Sequence, residues 1–264
     1  MRKTWIPVVG SLFIAALVAA APASAGNRPR DRQVGELVDR ANHRLAEFID
    51  DMSRRAITAK VTRDGVETDV SDFLKDFQAS GKSLAQRYSG SSVANQTALD
   101  FLRHAKAADG FIGRHPDFSG NDSGWRELVP TMESLADAYN IDWASGPASD
   151  WVATRATDKE VSSMLGGLAK AVKSSGSAVD KAAKGAGMEA DARKALSGAT
   201  KGLGAQAKQL KSAFSSGQAI DGGVDKLVAD ADAIGSRITA AGLPESTWGP
   251  AQKAIGDLAR AFGR

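Results

Sequence analysis

One helical pattern of apolar residues occurs twice in this chain, 123 residues apart, and it constrains the fold more than any other feature. The copies read SGWRELVPTMESLADAY at residues 123–139 and STWGPAQKAIGDLARAF at residues 246–262. Their apolar residues recur at steps of three and four, which places them on one face of an α-helix. Such a face must be buried against other helices, so each copy predicts the closing helix of a bundle.

The same spacing predicts three further helices before each copy. Their apolar stripes cover residues 34–52, 70–88 and 98–112 in the first half, and residues 161–179, 196–214 and 224–238 in the second. The third and fourth helices of the two halves align without a gap, whereas the first two align only in pattern. We therefore predict an all-α fold of two tandem four-helix-bundle-like units, with eight helices in total.

A segment between the first two predicted helices departs from the helical pattern. In ITAKVTRDGVETDV, residues 57–70, apolar and polar residues alternate around Asp64-Gly65. Asp-Gly is a favoured two-residue hairpin turn, but an isolated two-stranded hairpin is only marginally stable in water. The sequence therefore predicts either a short hairpin or a loop near residues 57–68.

The first residues have the features of an export signal. Arg2 and Lys3 precede an apolar stretch at residues 8–21, and Ala23-Ser24-Ala25 provides the small side chains that signal peptidase requires. We predict that residues 1–25 are a signal peptide cleaved near Ala25, and that a bacterium exports the protein to the periplasm or the extracellular space. The remaining boundaries are a first unit at 26–143, a linker at 144–157 and a second unit at 158–264.

Composition limits the chemistry and divides the charge unevenly. The chain has no cysteine, which excludes disulfides, cysteine-ligated zinc and thiol catalysis. Without residues 1–25 the net charge is +1, with −4 in residues 26–150 and +5 in residues 151–264. With so small a net charge and no basic tail, we expect no nucleic-acid partner.

The repeated segment resembles one found in uncharacterised exported bacterial helical-bundle repeat proteins. In both copies Trp is followed by Leu-Ala and then by Ala-Tyr or Ala-Phe. The resemblance covers the last two helices of each unit. It implies an exported helical protein, and it implies no activity and no site.

Four tryptophans outside the predicted signal peptide are candidates for a role in either core packing or ligand binding. Trp125 and Trp248 follow Ser123 and Ser246, the predicted helix N-caps, and should cover the end of each core; the alternative is an aromatic platform for a ligand. Trp143 and Trp151 lie in DWASGPASDW, residues 142–151, which connects the two units. They either pin the linker to the bundles or form an exposed pair that interacts with a sugar or a protein partner.

The charged residues retained in both copies of the third helix are a further candidate set. They are Asp109 and Arg114 in the first unit and Asp232 and Arg237 in the second. Residues five apart do not face each other on a helix. We therefore predict that each pairs with a neighbouring helix and fixes the helix register.

The sequence contains no recognisable catalytic motif, and its histidines, His43, His104 and His115, follow no metal-ligand spacing. We predict a non-enzymatic exported protein without a cofactor, which has a structural or protein-interaction role with a protein or envelope component as partner. The alternative is peripheral binding to a membrane or an envelope polymer through the Lys/Ala-rich second unit, with a weakly bound anionic membrane surface as partner. A third hypothesis is a metal-dependent enzyme centred on His115, Asp117 and Asp122.

Overall fold

A computed structural model of the chain describes residues 28–55, 58–89, 94–115, 124–145 and 147–264. The predicted signal peptide lies outside these residues. Eight α-helices and one two-stranded sheet form the described part, so the predicted all-α, bundle-like fold is confirmed. The helices are α1 (Asp31–Arg54), α2 (Val70–Ser89), α3 (Asn95–Arg114), α4 (Gly124–Ala138), α5 (Asp158–Gly185), α6 (Ala190–Ser215), α7 (Asp221–Ala240) and α8 (Gly249–Ala261).

The helices form two rings with the same plan. In the first ring α1 packs against α2 and α4, and α3 packs against α2 and α4. In the second ring α5 packs against α6 and α8, and α7 packs against α6 and α8. Each helix turns its apolar stripe inward, because burial of that stripe is the main source of helix stability in a protein.

Each ring has its own hydrophobic core. The first core runs in sequence from Val34 to Trp151, and the second from Ala156 to Phe262. The cores therefore divide between Trp151 and Ala156, inside the predicted linker. None of the described helices combines the length and the apolar composition of a membrane span.

The segment before α2 forms the hairpin rather than the loop. Strands β1 (Lys60–Arg63) and β2 (Val66–Asp69) pair antiparallel, with Lys60 opposite Asp69. Asp64 and Gly65 have φ angles of 50° and 81°, as a type I′ turn requires. The side chain of Val61 is buried in the first core and anchors the hairpin there.

The start of α5 and the contact between α5 and α6 follow sequence signals. The backbone N–H of Glu160 donates to Thr157 Oγ1 at 3.0 Å, and the Glu160 carboxylate accepts from the backbone N–H of Thr157 at 2.7 Å, and these reciprocal bonds form a capping box. Close approach of α6 is possible because Gly176 has no side chain: a Cβ atom there would lie 3.2 Å from Cβ of Thr200.

The N-cap predicted for the last helix is wrong. Ser246 lies in a 3-10 turn, Glu245–Thr247, and the N-cap residue of α8 is Trp248. The helix begins later because Pro250 fits its first turn, where a missing backbone N–H costs nothing. Ser123, the corresponding cap predicted for α4, lies outside the described residues.

Candidate functional site

The two repeated tryptophans are buried at equivalent places but bonded differently. Trp125 packs on Phe48, with ring centroids 4.9 Å apart, and its Nε1 donates to Asp109 Oδ1 at 3.3 Å. Trp248 is even more deeply buried, and no described residue accepts a hydrogen bond from its Nε1. Both rings cover a core, and neither presents a face to a ligand.

Of the four repeated charged residues, only Asp109 makes the predicted contact to a neighbouring helix, through Trp125 of α4. Asp232, Arg114 and Arg237 are exposed. Within the described part of the chain, none of these three forms a hydrogen bond or an ion pair, and Arg237 lines a shallow groove between α6 and α7. Asp109 and Asp232, and likewise Arg114 and Arg237, are identical in the two copies, but no contact common to both copies explains why.

The linker tryptophans pack together inside the first core. Trp143 and Trp151 are 8% and 6% exposed, with ring centroids 5.6 Å apart. Nε1 of Trp151 donates to the carbonyl of Ser145 at 3.0 Å, and Lys106 Nζ lies 4.9 Å from the centroid of the Trp143 ring. A ligand-stacking role for this pair would require the rings to leave that packing, which would expose apolar surface.

Of the three histidines, His104 is the buried one. Its ring stacks on Phe77 at 5.8 Å, its Nδ1 lies 2.9 Å from the carbonyl oxygen of Asp100, and the guanidinium of Arg63 on β1 contacts the ring. Burial, and then the charge of Arg63, lower the pKa of His104. A neutral imidazole that accepts from Arg63 therefore ties the hairpin to α3.

The surroundings of the other histidines do not form a metal site in the described residues. His43 lies 3.5 Å from Glu47 on the surface of α1, and the ring of His115 packs on Phe111. No group of three or more potential metal-ligating side chains converges within the described ranges. Asp117 and Asp122, the other members of the hypothetical metal site, lie outside them.

The two units meet where the N-termini of α1 and α5 face each other, in a contact that we call the junction (residues 28–31 and 155–158). The backbone N–H of Asp31 donates to Asp158 Oδ2 at 3.2 Å, and the backbone N–H of Asp158 donates to Asp31 Oδ2 at 2.8 Å. Each carboxylate therefore caps the first turn of the other unit's helix. This arrangement also places negative charge at two positive helix ends that would otherwise repel each other.

Two arginines complete the junction in the same reciprocal way. Arg155 donates to Asp31 Oδ1 at 2.6 Å and to the carbonyl of Pro29 at 3.0 Å. Arg28 donates to Asp158 Oδ1 at 2.9 Å and to the carbonyl of Ala156. Each of these contacts thus has a counterpart 127 residues away, so the junction has local two-fold pseudosymmetry.

Aromatic side chains from the closing ends of the helices surround these charges. Arg28 lies over the ring of Phe262 at 5.6 Å, and Arg30 lies over the ring of Phe214 at 3.7 Å, distances suited to cation–π attraction. On the other side, the hydroxyl of Tyr88 donates to the carbonyl of Asp31 at 2.5 Å. Burial, opposed only in part by the charge of Arg155, raises the pKa of Tyr88 to about 12.

The junction was not predicted from the sequence, although the sequence contains a signal for it. Residues 28–34 read RPRDRQV and residues 155–161 read RATDKEV, which share Arg, Asp, a basic residue, Gln or Glu, and Val in the same order. The buried positions of α1 and α5 continue in this register. They are Val34, Val38, Ala41, Leu45, Phe48 and Met52 in α1, and Val161, Leu165, Leu168, Val172, Ser175 and Val179 in α5.

The positive charge of the second unit is concentrated on one pair of helices. Residues 161–220, which contain most of α5 and all of α6, hold nine Lys and Arg residues against three Asp and Glu residues, whereas residues 221–264 hold five against six. Seven of the lysines form what we call the lysine face, and all seven are exposed. They are Lys170, Lys173, Lys181 and Lys184 of α5, and Lys194, Lys201 and Lys208 of α6.

The lysines of the lysine face form no ion pair in the described chain, and the one exposed carboxylate on the same side of α5 is Asp180, four residues before Lys184. Elsewhere in the described chain, Lys75, Lys106, Lys226 and Lys253 each pair with an aspartate three or four residues away. Across the described residues, no carboxylate lies within ion-pair distance of a lysine of the lysine face. The face therefore presents a positive field to solvent, and this field is available to an external anion.

No protein-family model, curated protein or solved structure matches the chain.

Proposed function

We propose that the protein is an exported, non-enzymatic helical protein that acts through interaction with a component of the cell envelope. The observation that carries the proposal is the lysine face, whose charges have no partner among the described residues. Folded proteins commonly distribute both charge signs over a helical surface and pair them at spacings of three and four. A concentrated group of seven unpaired lysines, with Asp180 as the one acidic residue among them on α5, supports a role in association.

The junction supports the same proposal, because it joins the two units through ion pairs whose arginines are buried. The side chains of Arg155 and Arg28 are only 2% and 6% exposed. Separating the units would leave these buried charges without their partners, which favours one arrangement of the two units. Partners bound at separate faces would therefore keep a defined separation, as a structural role requires.

A cross-linking experiment tests this function. A photoreactive residue is placed at Ser177, in the middle of the α5 part of the lysine face, or at the exposed position Ser236 on α7, and the protein is produced in its native bacterium. We expect cross-links to an envelope component from position 177 and few from position 236. Equal labelling at both positions, or none at either, would contradict the proposal.

A second candidate function is peripheral binding to the membrane or to an envelope polymer through the second unit. The small side chains between the lysines favour it, because Ser174, Ser177 and Ala205 leave the charged groups free to approach a flat or linear anion. This candidate keeps the lysine face as the site and changes only the class of partner.

A further inference from the structure

The geometry points to an anionic phospholipid surface as the partner of the lysine face, with the helical bundle remaining intact on docking. This inference rests on the proposed function, because it names the partner class of the same face. Three features of the face carry it: its shape, its lack of apolar anchors and the burial of the apolar stripes beneath it.

The shape of the lysine face favours a plane over a linear polymer. Lys194, Lys201 and Lys208 recur every seven residues and lie along one side of α6. The lysines of α5 run beside them on the neighbouring antiparallel helix, and Lys211 reaches from α6 to within 3.5 Å of a Cβ position at Gly166. The charges cover two adjacent helices for about 20 Å along their axes. A surface of this kind matches a layer of headgroups, whereas a single-stranded polyanion is usually held in a groove.

The composition of the face excludes an inserted binding mode. Among the described residues the exposed large apolar side chains are Val66 and Val152, and neither belongs to α5 or α6. Membrane-inserting helices bury an exposed apolar side below the headgroups. The apolar sides of α5 and α6 are not available for insertion, because Leu168, Leu203 and the other stripe residues are buried in the second core.

Docking is therefore electrostatic, through lysines that remain in the folded bundle. A lysine near an anionic leaflet gains roughly a five-fold increase in binding. Several lysines acting together give useful affinity without insertion, and salt weakens it because the Debye length falls from about 10 Å at ~0.1 M to a few ångströms at ~1 M.

The test measures flotation of the protein, residues 26–264, with vesicles. Vesicles of phosphatidylglycerol mixed with phosphatidylcholine are compared with vesicles of phosphatidylcholine alone, at low and high salt. A variant with Lys170, Lys173, Lys201 and Lys208 changed to Gln is compared with a control that has Lys75, Lys82, Lys226 and Lys253 changed to Gln. The control loses the same charge from outside α5 and α6, and circular dichroism verifies that both variants fold.

We expect binding to anionic vesicles only, at least about 30-fold weaker binding for the lysine-face variant, and a change of less than about three-fold for the control. Equal weakening of both variants, binding that resists high salt, or no binding of the unmodified protein would overturn the inference. Binding to soluble polyphosphate without binding to vesicles would also overturn it, in favour of a polymer.

A second measurement tests whether the bundle stays intact. Val179→Ala weakens the second core next to the lysine face without changing charge. If docking needs no opening, this variant binds anionic vesicles within about two-fold of the unmodified protein; clearly tighter binding would contradict intact docking. Cross-links from position 177 to an envelope protein, with no vesicle binding, would leave the proposed function in place and overturn the lipid partner alone.

Discussion

Arg155 is the residue whose replacement tests the junction most directly. Its side chain is 2% exposed and donates to Asp31 Oδ1, to the carbonyl of Pro29 and, at 3.3 Å, to the carbonyl of Ala138. In Arg155→Met the apolar side chain fills most of the volume but leaves these acceptors without their donor. Hydrogen bonds to a charged group contribute about 1.5–3 kcal/mol each.

The expected loss is smaller than the sum of those contributions. Asp31 is 37% exposed and retains the backbone N–H of Asp158, so water replaces part of what it loses. We therefore expect Arg155→Met to lower the free energy of unfolding by about 3 kcal/mol, the low end for breaking a buried ion pair. Urea unfolding followed by circular dichroism and tryptophan fluorescence measures it, with Arg32→Met, at an 89% exposed side chain, as the control.

A double-mutant cycle separates the ion pair from general packing. Asp31→Asn leaves Arg155 buried without its counter-charge, so the single change is costly. Adding Arg155→Met removes that unpaired charge. We expect the double variant to be less destabilised than the sum of the two single variants by at least about 1 kcal/mol. Additive losses, or a loss below about 0.5 kcal/mol for Arg155→Met, would refute a stabilising role for the buried ion pair in the junction.

Three other measurements test individual features. Gly176→Ala should destabilise the protein by about 1 kcal/mol, because its Cβ meets the opposing helix, whereas Gly198→Ala has open space and should stabilise it by about 0.5–1 kcal/mol; chemical denaturation compares the two. The lowered pKa of His104 means that the unfolded chain binds a proton more readily, so stability should fall as pH drops below about 6.5. His104→Phe should reduce that fall, and an unchanged pH dependence would count against the buried neutral ring. Burial raises the pKa of Tyr88 to about 12 and also raises the pKa of Tyr139. Tyrosinate absorbance should therefore be absent at about pH 10–11 while the protein is folded, and stability should decline as pH rises from about 10 towards 12; early ionisation in the folded protein would disprove the burial.

Helix positions could be predicted from the sequence because a helix with one buried face has apolar residues at regular steps of three and four. The stripe of α1, from Val34 to Met52, is a direct consequence of one face meeting the core. The local sequence could not decide between a hairpin and a loop near residues 57–68, because the two strands are stabilised by contacts with other parts of the chain. Burial of Val61 in the first core and the contact of Arg63 with His104 decide in its favour, and neither contact is visible in the local alternation.

The junction could not be predicted with the same ease, since its partners are 127 residues apart in sequence. Arg28 and Asp31 look like ordinary charged residues ahead of a helix, and their function depends on where the second unit starts. A comparable difficulty affected the linker tryptophans. Whether Trp143 and Trp151 are packed or exposed depends on the path of residues 144–157, and a Gly- and Ser-containing segment does not specify that path.

The pseudosymmetry of the junction has a consequence for the origin of the chain. A contact in which Arg28 reaches Asp158 while Arg155 reaches Asp31 has the pattern of an isologous interface, in which the same patch on two identical subunits is complementary to itself. A protein of one unit with the Arg-x-x-Asp segment would carry both halves of this contact and would pair with its own copy. Fusion of two such genes would turn that homodimer into a single polypeptide, after which each half could change independently, one of them acquiring lysines.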